Sequence, residues 1–211
     1  MNSSKTMNAA VIVDSRPIDP EIVEAHMKHL PGWELILFIQ SNSIPVMNHF
    51  GCKGVICPPI SNLNQYNQFM TSIPFWERLK EYERVLIFQQ DSMILRDGIE
   101  EFTDFDYVGA PWKWQAEPRK GGNGGLSLRN PKKCLELVRQ KPWSITYGYE
   151  DVYFTNGLEE VGGSVAPYEV CRKFSCETMF EMGTFGYHAI DKHLANTQVK
   201  QIKTQYDLVP V

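Results

Sequence analysis

The chain has 211 residues, of which 43% are hydrophobic and 22% charged, and a net charge of −4. That suits one globular domain with a sizeable core, and the mild acidity argues against a nucleic-acid partner. The apolar run near the start, Ala9 to Val13, is far too short to span a membrane.

Residues 1–8 are polar and expected to fray. Ala9 to Val13 then reads as a buried strand, ending in the turn cluster Asp14-Ser15-Arg16-Pro17. A helix is predicted over 20–30, with Ile22, Val23, His26 and Leu30 on one face and Pro31-Gly32 as its stop. Glu34 to Ile39 is a second strand, and Gly54 to Cys57 a short third closed by Pro58-Pro59. Residues 62–82 are helical in part, with a break at Pro74. Val85-Leu86-Ile87-Phe88 is a fourth strand that runs straight into Gln89-Gln90-Asp91-Ser92. Strand and helix alternate through this half, which predicts a parallel, right-handed, doubly wound sheet.

The second half has a different character. Tyr107 to Trp112 is followed by a glycine-rich turn at 121–125 and by Leu126-Ser127-Leu128. A helix is predicted from about Pro131 to Gln140, with proline in its first turn, and another begins near Glu150. After Gly162-Gly163, strand-like pieces are expected from Val165 to Phe174, then a segment at 185–190 and a polar tail from Asp191. No linker separates the halves, so 1–211 is read as a single domain.

Five cysteines, at 52, 57, 134, 171 and 176, have neither an even count nor the C-x-x-C spacing of zinc sites. They are expected to be reduced, buried thiols of a cytoplasmic protein without a secretory leader.

Five constellations carry the chemistry. An acid delivered to the carboxyl end of a buried strand, as Asp91 is, suits one end of a Mn²⁺ or Mg²⁺ site beside phosphate, with Gln89, Gln90 and Ser92 around it. Gly121-Gly122-Asn123-Gly124-Gly125 matches neither the dinucleotide fingerprint nor the P-loop, and four glycines in five residues point to backbone lying very close to a ligand. Glu150-Asp151 opens a helix among tyrosines, a setting in which aromatic faces hold a sugar and a carboxylate deprotonates a hydroxyl. First-turn acids also complement a helix dipole, which is the alternative for this pair. His188, in a glycine-rich loop, is a good imidazole partner for Mn²⁺. Val13-Asp14-Ser15-Arg16 closes the first strand, where a nucleotide meets such a sheet and where Arg16 can pair with phosphate.

Taken in order, these pieces resemble glycosyltransferases of the GT-A fold, which hold a nucleotide sugar through a divalent cation on an Asp-x-Asp motif. Gln89-Gln90-Asp91 stands where that motif belongs, with Gln89 in place of its first acid. The chain resembles more closely a set of glycosyltransferase-like domains of unassigned function, including a chlorella-virus-encoded type. The shared run is Tyr66-Asn67, Phe75-Trp76, Leu86 to Ser92, Asp106 to Trp112, Asn123 to Arg129, Glu150 to Phe154 and Gly186 to His188. The resemblance implies a nucleotide-binding half over about 9–110 and an acceptor-side catalytic half over about 111–190. It implies a UDP-sugar donor held by Val13 to Arg16, Asn67, Gln89 to Ser92 and Asn123 to Gly125. The cation would sit on Asp91 and His188. Asp151 would be the general base of an inverting transfer, with Glu150 positioning hydroxyls. An ordinary Asp pKa of ~3.9 leaves such a base ionised at neutral pH. The acceptor would be a glycan or glycoprotein, in the host cytoplasm for a viral protein, and the native chain could be longer and carry further domains. A retaining transferase, a sugar-nucleotide pyrophosphorylase and a non-catalytic nucleotide-sugar or glycan-binding module are the alternatives. The pyrophosphorylase calls for a basic, glycine-rich loop after the first strand, and Asp14 to Pro17 offers none.

Overall fold

Alternation along the first strand sets the architecture. In β1 (Ala9–Asp14), Ala9, Val11 and Val13 join the core on one side of a sheet and Ala10 and Ile12 the core on the other. A strand covered on both faces is how parallel sheets are built. The computed structural model describes residues 7–115 and 120–208, so most of the polar start at 1–8 lies outside the described residues.

Helix α1 (Pro20–Met27) follows β1, and β2 (Glu34–Ile39) returns beside it. Helix α2 (Ile44–Phe50) and β3 (Lys53–Ile56) come next, then α3 (Leu63–Met70), α4 (Ile73–Leu79) and β4 (Val85–Phe88). The break expected at Pro74 is real: Ser72 caps α4 and Pro74 lies in its first turn. After β5 (Ser92–Ile94) come β6 (Tyr107–Gly109) and β7 (Leu126–Arg129). The main sheet has the order β3-β2-β1-β4-β7-β6, with β1, β2, β3 and β4 parallel and β7 antiparallel to both its neighbours. The fold is therefore α/β, with a mostly parallel central sheet flanked by helices.

Helices α5 (Pro131–Gln140) and α6 (Glu150–Gly157) pack with α3 and α4 on one face through Trp76, Leu137 and Phe154. On the other face lie α1 and α7 (Tyr168–Phe174), with Val23 and Phe174 in the core. A small second sheet places β9 (Gly186–His188) between β5 and β8 (Ser175–Cys176). It is backed by α8 (Ile190–His193) and α9 (Asn196–Gln205).

Three segments depart from the sequence expectations. Val165 to Phe174 is not strand-like beyond two isolated bridges, Val165 to Tyr107 and Pro167 to Lys120. Pro167 caps α7, and the three-residue spacing of buried Cys171 and Phe174 suits a helix face. The polar tail from Asp191 is helical instead, because Val199 and Ile202, also three apart, bury against the small sheet. Helix α2 was not anticipated; Pro45 lies in its first turn and Gly51 ends it at φ 58°.

One packing detail supports the turn that carries Asp91. His26 of α1 is fully buried, with its ring stacked on Phe88 at 4.4 Å. Its Nδ1–H donates to the Ile22 carbonyl at 2.7 Å, and Nε2 lies 3.1 Å from the Ser92 hydroxyl. Burial lowers its pKa from the ordinary 6.5 to about 4. The folded state thus keeps His26 neutral while the unfolded chain protonates it, so stability drains away as pH falls from 6.5 towards 4, by about 3 kcal/mol. Urea unfolding between pH 7 and 4.5 checks this: His26→Met should flatten the loss, and parallel curves for variant and wild type would contradict it.

Candidate functional site

At the carboxyl end of β4 lies a cleft of about 220 Å³, lined by Leu63, Tyr66, Asn67, Gln89, Asn123, Gly124, Gly125, Tyr149, Glu150, Asp151 and His188. Five pieces of chain far apart in sequence form it: α3, the turn after β4, the glycine-rich segment before β7, the start of α6 and the end of β9.

The first wall exists because β5 pairs with β9. Their antiparallel register sets Ser92 opposite His188, and the Ala189 N–H donates to the Asp91 carbonyl at 2.8 Å. His188 Nε2 consequently lies 3.2 Å from Asp91 Oδ1 and 3.1 Å from Gln89 Oε1. On its other edge, His188 Nδ1 is 3.1 Å from Oε1 of Glu177, whose side chain is 4% exposed. Lys192, on α8, donates to Asp91 Oδ2 at 2.5 Å. The His188 and Lys192 contacts hold the Asp91 carboxyl far below the usual carboxylate range. Burial disfavours the His188 imidazolium, but Asp91 and Glu177 outweigh it and raise the pKa to about 9.

Oxygen and imidazole donors of this kind suit Mn²⁺ or Mg²⁺. Among the described residues, no group of three or more His, Cys, Asp or Glu side chains is arranged to hold a metal ion. The cluster offers Asp91 and His188, with the Gln89 amide oxygen beside them. That set fits a cation whose remaining ligands are phosphate oxygens and water, since such sites need only one or two carboxylates from the protein.

The second wall is the start of α6. Its first N–H, from Glu150, donates to Asn67 Oδ1 of α3 at 3.1 Å, so the helix is capped across space. Glu150 itself is not free to position hydroxyls as expected. Both its oxygens accept from Arg129, at 2.7 and 3.1 Å, and this guanidinium is wholly buried. Arg129 also donates to Ser127 Oγ at 2.9 Å and lies against the rings of Tyr107, Phe154 and Trp76.

Asp151 is left as the acid of this pair that borders the cleft without an ion-pair partner among the described residues. Its Oδ1 accepts from Val152 N–H at 2.8 Å and its Oδ2 from Gly124 N–H at 3.4 Å. Burial, then the charge of Glu150, pushes its pKa up to about 7. This corrects the expectation of an ordinary, fully ionised aspartate: the group is poised near neutrality, where a general base works best.

The glycines have neighbours of their own. A Cβ on Gly124 would fall 2.1 Å from Glu150 Oε1, and one on Gly125 2.2 Å from His188 Nε2. Their close approach is thus to the two side-chain clusters, which they draw to opposite sides of one cleft. Asn123 shapes the same turn, its Oδ1 accepting from Gly125 N–H at 2.6 Å.

The remaining expected donor residues do not line the cleft. Val13 is buried in the core, and the Ser15 hydroxyl donates to the Ile60 carbonyl. Asp14 accepts three times from Arg16, through its backbone N–H, Nε and Nη2, and once from Gln90, whose amide also ties Pro17 and Asp19. Ser92 is buried and closes the turn onto Gln89. These residues form the adjoining carboxyl end of β1, where the Arg16 side chain is 68% exposed.

Tyr66, Lys192 and Glu177 were not singled out as site residues from sequence. Tyr66 accepts from Gln89 Nε2 at 3.0 Å, which leaves its own O–H without a partner among the described residues, in a cleft-lining position. Glu177 follows the short strand β8 much as Asp91 follows β4, a pattern visible in sequence but diluted by the brevity of Ser175-Cys176.

A family described as "Protein of unknown function (DUF5672)" matches residues 57–188. The chain belongs to this family. The DUF5672 match spans every residue that lines the cleft, together with Asp91 and Glu177, while Asp14, Arg16 and Lys192 lie outside it. No curated protein matches the chain. Among solved structures, a 4-diphosphocytidyl-2C-methyl-D-erythritol synthase is 10% identical, covers 76% of this chain and 87% of its own, and has a TM-score of 0.49. A197 from STIV is also 10% identical, covering 73% of this chain and 78% of its own at a TM-score of 0.43. Among the described residues, no helix is long and apolar enough to cross a membrane.

Proposed function

We propose that this DUF5672 protein is a GT-A-type glycosyltransferase, moving a sugar from a UDP-sugar to an acceptor hydroxyl with inversion at the anomeric carbon. The observation that carries the reading is the opposition, across one cleft, of an Asp91–His188 cluster and an unpaired Asp151 poised near neutrality. The cleft is smaller than the ~300 Å³ at which pockets for whole ligands begin, so it takes one part of the donor, the sugar. The nucleotide would extend towards β1, where Arg16 can meet phosphate.

Asp91 and His188 would hold Mn²⁺ or Mg²⁺, which when bound supplies Lewis-acid neutralisation of the diphosphate leaving group. Asp151 takes the proton of the acceptor hydroxyl. That oxygen forms a bond to the anomeric carbon on the face opposite the diphosphate, the carbon–oxygen bond to phosphate breaks, and UDP leaves with the electron pair. Glu150 contributes by fixing the start of α6 through Arg129 rather than by touching substrate. A glycan or glycoprotein acceptor would approach past Tyr149 and Leu63, both more than half exposed at the cleft.

The test is UDP release from a panel of UDP-sugars with Mn²⁺. Wild type should release UDP from at least one donor, slowly with water as acceptor, and Asp91→Asn should cut the rate by about 100-fold or more. Absence of release from every donor, or an Asp91→Asn variant as active as wild type, would contradict the proposal.

A further inference from the structure

We propose that Glu177 is a positioning residue of the cation site: it anchors Nδ1 of His188 so that Nε2 presents its lone pair beside Asp91. The inference rests on the cation reading above and adds to it a residue outside the cleft.

Three observations support it. A carboxylate can only accept, so the 3.1 Å contact with Glu177 keeps a proton on His188 Nδ1, and Nε2, which faces Asp91 and Gln89, is the nitrogen that gives up its proton when a cation binds. Ligating imidazoles are held in this way by a carboxylate on the far nitrogen, which fixes tautomer and ring orientation. Second, Glu177 is buried, yet among the described residues its Oε2 has no hydrogen-bond partner. A carboxylate kept for packing would satisfy both oxygens, and an orphaned one inside a protein is costly. A second imidazole, His193, has its Nε2 3.8 Å from Oε1, the oxygen already used. Third, among the described residues no other group meets Nδ1 to control ring rotation. The β5–β9 register fixes the His188 backbone and Gly125 leaves space for the ring face, but Glu177 is the described group that meets Nδ1.

The experiment is Mn²⁺ binding, read by loss of the free-ion electron paramagnetic resonance signal, in wild type, Asp91→Asn, Glu177→Gln and Glu177→Leu. Binding should be lost in Asp91→Asn. Glu177→Leu, which removes the anchor, should weaken it by about 10–100-fold, and Glu177→Gln, which keeps an acceptor but not the charge, by less. Nitrogen-15 spectra of the Mg²⁺-loaded protein should show His188 protonated on Nδ1 in wild type and a mixture of tautomers in Glu177→Leu, a change that a purely structural carboxylate would not produce. Asp91-dependent Mn²⁺ binding that both Glu177 variants retain within about twofold would overturn this inference and leave the cation reading standing. No Asp91-dependent binding in wild type would overturn both. Should Glu177→Leu fail to fold, Glu177→Gln decides: weakened binding supports the anchor, and unchanged binding overturns it.

Discussion

Replacing Asp151 by Asn is expected to lower transfer by about 10²–10⁴-fold while leaving UDP binding nearly intact. The side chain keeps its size and, through its one amide oxygen, the 2.8 Å contact with the Val152 N–H; its NH2 cannot accept the long contact from Gly124 N–H, and it can no longer take the acceptor proton. The same variant should be more stable than wild type at pH 8. A carboxyl raised from 3.8 to about 7 in the fold disfavours the folded state once it ionises there, and Asn carries no such cost. Each kcal/mol regained should raise the melting temperature by about 2–4 °C. Below pH 7 the wild-type rate should fall by about tenfold per pH unit, because the base becomes protonated, and above pH 8 it should level off. Single-turnover transfer and thermal melts on the two proteins check all three. Near-normal transfer by Asp151→Asn would remove Asp151 from the mechanism.

The second large effect is on stability. Arg129→Met should cost about 3–5 kcal/mol, because it strands Glu150 as an unpaired acid that is 3% exposed. The double variant Arg129→Met/Glu150→Leu should recover much of that loss, since an apolar pair of similar volume can replace a buried ion pair. Urea unfolding of the two singles and the double closes the cycle. A single-variant cost below about 1 kcal/mol would mean that the pair is not what holds the head of α6 in place. The large cost also explains why Glu150 is a poor candidate for substrate contact: its carboxylate is already committed in both oxygens.

The central strands were legible because burial on both faces writes itself as unbroken apolar runs. Val11 to Val13, Leu35 to Ile39 and Val85 to Phe88 each appear as such in sequence and in the sheet. Asp91 was legible for the same reason, as the first acid beyond such a run. The small sheet was not. Its strands are two or three residues long, and their pairing depends on tertiary placement rather than on local pattern. That pairing is what brings His188 to Asp91, so the two residues could be nominated separately but their contact could not be derived.

The glycine-rich turn shows a similar limit. Close approach at Gly124 and Gly125 was foreseeable from composition, but besides the nearby Arg129 the approaching groups are Glu150 and His188, which the sequence places far away. Charge states were the least legible feature. Asp151 departs from ordinary behaviour because of burial and the adjacent Glu150 charge, and His188 because two carboxylates flank it. Neither environment exists until the chain is folded.

Calorimetric titration of UDP-sugars with and without Mn²⁺ tests the central claim most directly. At least one UDP-sugar should bind wild type, more tightly with Mn²⁺ than without it, and Asp91→Asn should abolish the metal-dependent gain. If no UDP-sugar binds in the presence of Mn²⁺ or Mg²⁺, or if binding ignores Asp91, the cleft is not a nucleotide-sugar site.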